Sequence, residues 1–145
     1  MRCEEIMTRN PATLPPTATV LDAARLMAKE DIGFVPVVDP SGNATGVVTD
    51  RDLVVKGIAK SGDAGKLPLS QVMQTEVFCC TPDEDVEQVK QHMAERQVQR
   101  MLVCQANSKK PVGVVSLQDL ARADTDIGGT VRGVKEGAGA SARTH

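Results

Sequence analysis

The sequence contains no tryptophan and no tyrosine, and only 2 phenylalanines among its 145 residues. Its interior must be built from Val, Leu, Ile, Met and Ala. A base-stacking platform of the kind that holds single-stranded nucleic acid is therefore disfavoured. Basic excess is missing too: 17 Lys and Arg face 19 Asp and Glu, for a net charge of -2. The chain as a whole thus lacks the footprint of a phosphate-backbone binder. No apolar run approaches the ~20 residues that a membrane helix needs, and the opening stretch MRCEEIMTRN carries no apolar signal segment. The expectation is a cytoplasmic protein without a membrane partner, its four cysteines (Cys3, Cys79, Cys80, Cys104) reduced. What is present is ordinary for a globular domain, with 41% hydrophobic and 25% charged residues.

The chain repeats itself. Residues 6–54 can be laid on residues 72–121, first at an offset of 66 and, after one inserted residue in a turn, at 67. Met7 falls on Met73, Pro16 on Pro82, Val20 on Val86, Met27 on Met93 and Val37 on Val103. Gly46-Val47-Val48 then falls on Gly113-Val114-Val115, and Asp52-Leu53 on Asp119-Leu120. A duplicated unit of about 50 residues is marginal alone, so two must share the burial.

Each unit reads as β-α-β-β-α. A short extended piece (Ala12–Leu14; Val77–Cys80) precedes a helix. Thr19 with Asp22 has the capping-box spacing, and Asp85 with Gln88 takes the same place in the second unit. Val20, Ala23, Ala24 and Met27 recur at helical spacing, as do Val86, Val89 and Met93. An apolar strand follows (Phe34–Val38; Met101–Cys104), then a turn rich in Asp, Pro, Ser, Gly and Asn at residues 39–43. A second strand (Gly46–Thr49; Gly113–Ser116) runs into a helix that starts at Asp50 or Leu117. The fold class is α/β (α+β): two repeats packed sheet to sheet with pseudo-two-fold symmetry. The first repeat with its connector is expected over 1–66, the second over 67–123, and a flexible Gly/Ala-rich tail over 124–145. Gly57 to Leu67 reads as an exposed connector.

Two β-α-β-β-α units, each closing on Gly-Val-Val-Thr/Ser-x-x-Asp-Leu, resemble a tandem CBS-domain pair, or Bateman module. The matching residues are 46–53 and 113–120, and the strand region 32–39 is similar as well. The resemblance covers roughly residues 3–123. It implies a non-catalytic regulatory module that binds an adenosyl compound (AMP, ADP, ATP, NAD(H) or S-adenosylmethionine) in clefts between the repeats, forms a homodimer, and signals to a protein target yet to be named. By resemblance, the adenine is expected near the backbone of Ala12, Thr13, Ile32 and Gly33, with Phe34 and Pro36 as apolar neighbours.

Physical chemistry gives the remaining residues roles. The start of a helix offers N–H groups and a favourable dipole to a phosphate. Thr49 can donate its hydroxyl to that phosphate, and Arg51 can add a charge-assisted contact. Asp52 can accept hydrogen bonds from ribose hydroxyls. Ser116 and Asp119 repeat the pattern, with Arg100, just before the strand Met101–Cys104, as a second phosphate partner. The competing account is a pair of capping boxes, Thr49-x-x-Asp52 and Ser116-x-x-Asp119, with no ligand at all. Leu117 and Gln118, which replace Asp50 and Arg51, and Leu102, which replaces Pro36, favour that alternative of a ligand-free dimerisation module. No catalytic constellation is visible. Cys79 and Cys80 are adjacent in a strand and point to opposite faces; with no C-x-x-C or H-x-x-x-H spacing, the thiols are expected to be buried and inert, and no metal site is expected.

Overall fold

A computed structural model describes residues Met1–Gly128. The tail expected from residue 124 lies outside the described residues, apart from the backbone helix that reaches Gly128. In chain order the elements are β1 (Thr8–Arg9), α1 (Val20–Glu30), β2 (Phe34–Val38), β3 (Ala44–Thr49), α2 (Asp50–Asp52), α3 (Ala59–Ser61), β4 (Cys79–Cys80), α4 (Val86–Arg96), β5 (Arg100–Cys104), β6 (Pro111–Ser116) and α5 (Leu117–Gly128). A π-helical stretch, Leu53–Ile58, joins α2 to α3. The β-α-β-β-α order is present twice.

The chain divides into two compact units, but these are not the two sequence repeats. One unit is Pro11–Val77; the other combines Met1–Asn10 with the described residues from Phe78 on. The short segment that opens each repeat is packed with the body of the other. In the second unit the sheet order is β1-β6-β5-β4, so Thr8 and Arg9 pair with Val114 and Gly113 at its edge. In the first unit Gln74 does the same beside β3, its amide and carbonyl both bonded to Val47, while Leu14 bridges to Val37 on the other side of β2.

Glycine makes this docking possible. A Cβ on Gly46 would lie 2.7 Å from the Met73 sulfur and 2.9 Å from the Gln74 carbonyl oxygen. A Cβ on Gly113 would lie 2.5 Å from the Met7 sulfur and 3.0 Å from the Thr8 carbonyl oxygen. Met7 and Met73, paired by the sequence repeat, thus do the same job in both units.

The two cores are aliphatic, as the composition requires. One gathers Val20, Ala23, Met27, Val35, Val37, Val48, Leu53, Leu69 and Val72. The other gathers Cys3, Cys80, Val86, Val89, Met93, Met101, Val103, Val115 and Leu120. Helix α1 buries Val20, Ala23 and Met27, whereas Ala24 faces solvent and Leu26 packs in its stead. The Thr19–Asp22 capping box forms in both directions. Asp85 occupies the matching N-cap position of α4, but its side chain makes no capping bond. It faces the Met1 amino group at 3.6 Å instead, and the Met1 carbonyl takes the Val86 amide. The turn at 39–43 closes on the Asp39 carboxylate, which accepts the Ser41 and Asn43 amides, with Gly42 at φ +89.

The segment from Gly57 to Leu67 is largely exposed, but it also packs onto α1. Gly57 is buried against the Val20 methyls, the helical stretch runs on through Ser61, and the Ala64 and Leu67 carbonyls accept the amides of Leu21 and Val20. Lysine and glycine content made this segment look solvated, but its few apolar residues supply the first turn of α1 with acceptors and the core with side chains.

Gly46→Ala is expected to lower stability by about 1–3 kcal/mol, because the new methyl meets backbone oxygen as well as a thioether. Gly113→Ala should behave alike. Gly65→Ala, where the nearest atom is 3.7 Å away, should leave the urea midpoint unchanged; equal midpoints for all three variants would refute the close-packing account.

Candidate functional site

The strand-to-helix junctions place the expected residues. In the first unit, antiparallel pairing sets Phe34 opposite Thr49 and Pro36 opposite Val47. The Gly33 carbonyl accepts the Asp50 amide, and the Asp50 side chain lies over Gly33, where a Cβ would sit 2.9 Å from its Oδ2. Ile32 packs against the core, and Ala12 and Thr13 lead into Leu14 on the far side of β2. Ile32, Gly33, Phe34, Thr49, Arg51 and Asp52 therefore gather at one end of the β2–β3 hairpin, while Pro36 is a buried mid-strand residue whose carbonyl accepts the Leu14 amide. In the second unit Arg100 pairs directly with Ser116 at the corresponding end, with Asp119 one helical turn on.

Both carboxylates are buried, Asp52 at 5% exposure and Asp119 at 6%. A buried carboxylate must be partnered, and both are. Asp52 Oδ2 accepts the Thr49 amide and the Gln74 side-chain amide, each at 3.0 Å, and Oδ1 lies 3.3 Å from Lys56 Nζ. Asp119 Oδ2 accepts the Ser116 amide at 2.9 Å, and Oδ1 pairs with Arg122. Each box closes reciprocally, since Thr49 Oγ1 and Ser116 Oγ accept the amides of Asp52 and Asp119 at 3.1 Å.

The capping role is thus present in full, and it alters one expectation. The amides at the start of α2 do not stand open for a phosphate. Asp50 N–H goes to the Gly33 carbonyl, Arg51 N–H to Asp50 Oδ1, Asp52 N–H to Thr49 Oγ1 and Leu53 N–H to the Asp50 carbonyl. What remains for a ligand is side-chain chemistry. The Thr49 hydroxyl accepts one bond and keeps its hydrogen to donate, and the Arg51 side chain makes no ion pair among the described residues.

The duplication is also what the comparison with known proteins finds. The CBS domain family matches residues 3–57 and again residues 69–126. The chain belongs to the CBS-domain family. The CBS domain-containing protein YhcV of Bacillus subtilis is 37% identical over 118 residues, 81% of each chain. A CBS domain protein of unknown function from Thermoplasma acidophilum, TA0289, is 30% identical with a TM-score of 0.76, over 84% of this chain and 68% of that one. The CBS domain pair of protein MJ0100, solved in complex with 5′-methylthioadenosine and S-adenosyl-L-methionine, is 24% identical with a TM-score of 0.78, over 87% of this chain and 97% of that one. This last is a likeness of fold.

Three residues that meet the CBS junction carboxylates, and Phe78 elsewhere in the second unit, are not among the sequence expectations. Lys56 and Arg122 stand four and three residues after the carboxylates they pair with, a spacing that places them on one helix face, so a search along the helix finds both. Gln74 left no local trace, because it reaches Asp52 only through the exchanged segment. Phe78, at the repeat position of Ala12, packs beneath the Arg96 guanidinium, 4.5 Å from its ring centroid.

Thr49→Val and Ser116→Ala are each expected to cost about 0.5–2 kcal/mol, the range for a lost N-cap. Asp52→Leu should cost more, about 1–3 kcal/mol, since it strands the Thr49 and Gln74 amides. Urea unfolding of the three variants tests the ranking, and a neutral Asp52→Leu would remove the capping argument.

Proposed function

We propose that this CBS pair is a regulatory, non-catalytic module that binds an adenosyl compound (AMP, ADP, ATP, NAD(H) or S-adenosylmethionine) and reports its occupancy through contact with a protein partner in the cytoplasm. The observation that carries the reading is the buried carboxylate held at the end of each hairpin, Asp52 and Asp119, beside a hydroxyl and an arginine. A ribose presents two hydroxyl donors, and an ionised carboxylate is acceptor-only. Thr49 and Arg51 in the first unit, and Ser116 and Arg100 in the second, then serve the phosphates. Ala12, Thr13, Ile32, Gly33, Phe34 and Pro36 remain the candidates for the adenine. The adenosyl ligands in the MJ0100 structure support the class of ligand.

The geometry suggests how binding is felt. Asp52 Oδ1 is held by Lys56, whose side chain is 43% exposed and free to swing away, whereas Gln74 is fixed by the backbone pairing of its segment. A ribose therefore displaces the lysine. Lys56 lies on the π-helical stretch whose Val54, Val55 and Ile58 are exposed to between 41% and 55%. Val54 and Ile58, four apart, form an apolar strip on a surface helix. We read that strip as the face through which the chain homodimerises. The corresponding second-repeat positions are Ala121 and Thr125.

A second reading has its own observation. Both carboxylates are already saturated by Gln74, Lys56 and Arg122, as a ligand-free structural module would have them. The two readings part in a direct experiment. Without Trp or Tyr, the purified protein absorbs weakly at 280 nm, so bound adenine should dominate its spectrum near 260 nm and be released on denaturation for mass spectrometry. Added AMP, ATP, NAD or S-adenosylmethionine at a hundredfold its Kd should stabilise the fold by about 2.7 kcal/mol. Arg51→Ala, at an exposed position, should weaken phosphate-bearing ligands while leaving the ligand-free melting temperature in place. An adenine-free spectrum together with melting temperatures indifferent to all four compounds selects the structural module.

The dimer face is tested separately. Val54→Asp with Ile58→Asp should convert a dimer in analytical ultracentrifugation to a folded monomer; an unchanged sedimentation coefficient would place the interface elsewhere.

A further inference from the structure

The unit that contains β4 to β6 holds an open pocket of about 620 Å³, and three thiols, Cys79, Cys80 and Cys104, border it beside Thr81, Glu84 and Lys109. Parallel pairing sets Cys79 opposite Leu102, so Cys104, two residues further along β5, lies on the same face. The two sulfurs are 3.1 Å apart, with the Cys104 thiol donating to Cys79 Sγ. Cys79 is half-buried at the pocket and Cys104 fully buried behind it. Cys79 is therefore not fully buried, whereas the sequence leads one to expect burial of all four thiols.

The fold does not call for sulfur at these places. The corresponding positions of the first repeat, beside the Leu14–Val37 bridge, are Thr13 and Val38. The second thiol pair is different in kind. Cys3 and Cys80 are 3.6 Å apart and both within 2% of complete burial in the aliphatic core; Cys80 borders the pocket as well, but the Cys3 hydrogen bond and burial push its pKa up, away from the reactive thiolate. Nor is the pocket pair a metal centre by donor count, since among the described residues no three His, Cys, Asp or Glu side chains group together.

We propose that Cys79 and Cys104 are a peroxide-reactive dithiol, in which Cys79 is oxidised at the pocket and Cys104 resolves it to an intrachain disulfide. Geometry assigns the roles. Reactivity requires a thiolate with access, and Cys79 has both: the hydrogen bond from Cys104 lowers its pKa to about 7 against the opposing effect of burial, with help from the positive charge of Lys109. The same hydrogen bond and burial raise the pKa of Cys104, the donor. The Cys79 thiolate attacks one oxygen of hydrogen peroxide; an S–O bond forms as the O–O bond breaks and hydroxide leaves. The Cys104 sulfur then attacks the resulting sulfenic sulfur, forming the S–S bond, while the displaced hydroxide takes the Cys104 proton and leaves as water. Two thiols lose two electrons, and the peroxide gains them. The product joins β4, the edge strand of its sheet, covalently to β5 across the pocket wall. A reversible bond of this type is the form that disulfides take in reducing compartments, and the proposal is independent of adenosyl binding.

The test uses the full chain, reduced, freed of reductant and treated with stepwise hydrogen peroxide. Thiols titrated after denaturation should fall from four to two and return to four with dithiothreitol. Trypsin separates Cys104 from the peptide that carries Cys79 and Cys80, so mass spectrometry should find those two peptides linked in a monomeric chain. Cys79→Thr and Cys104→Val place the first repeat's own residues at these sites and should fold. Cys79→Thr should abolish the link; Cys104→Val should leave a sulfenic acid on Cys79 that dimedone traps. Four thiols persisting at tenfold excess peroxide, a link that survives Cys79→Thr, or a link through Cys3 would each overturn the proposal.

Discussion

The architecture depends on a sulfur seated over a glycine, twice. Gly46 and Gly113 leave room for Met73 and Met7, and the backbone that follows each methionine then completes the edge of a sheet to which its own repeat does not belong. Any side chain at either glycine collides with that backbone. Because the opening segments are exchanged, the Cys3–Met7 stretch fills one core and the Leu69–Met73 stretch the other. A repeat of about 50 residues that cannot bury enough apolar surface alone thereby depends on its duplicate for its sheet edge and part of its core.

The same exchange reaches the carboxylate. Gln74, delivered beside β3 by the Met73 contact, supplies a hydrogen bond to Asp52, and the capping box supplies another. Two roles that look like rivals in the sequence are compatible in three dimensions. The cap uses one oxygen of each carboxylate, and the other oxygen is met by a long side chain, Lys56 or Arg122, that extends from the following helix. A movable cation over an otherwise fixed carboxylate gives a hydroxyl-bearing ligand one partner to replace. An unmovable partner there would make the junction purely structural.

Duplication makes the differences between the halves informative. The junctions have kept Thr/Ser and Asp while their neighbours diverged: Arg51 has no counterpart at Gln118, and Arg122 has none at Val55. The second repeat has thiols, Cys79 and Cys104, where the first has Thr13 and Val38, and the first has Val54 and Ile58 where the second has Ala121 and Thr125. One framework thus carries chemically different side chains at matching positions of its two copies.

The order of elements, the aliphatic cores, the Thr19 cap and both Thr/Ser-x-x-Asp boxes were legible in the residues, because periodicity and capping are local and each element carries its own signal. Asp85 holds the expected N-cap position of α4, but spacing alone does not show whether its side chain bonds the helix, and here it faces the Met1 amino group instead. Tertiary structure alone decided which segment completes which sheet, that Gly57 and Leu67 serve the core, that Gln74 meets Asp52, and that four thiols form two pairs of unequal exposure. Each of those facts joins residues about 20 or more positions apart, and no pattern along the chain encodes a contact that exists only once two surfaces have packed.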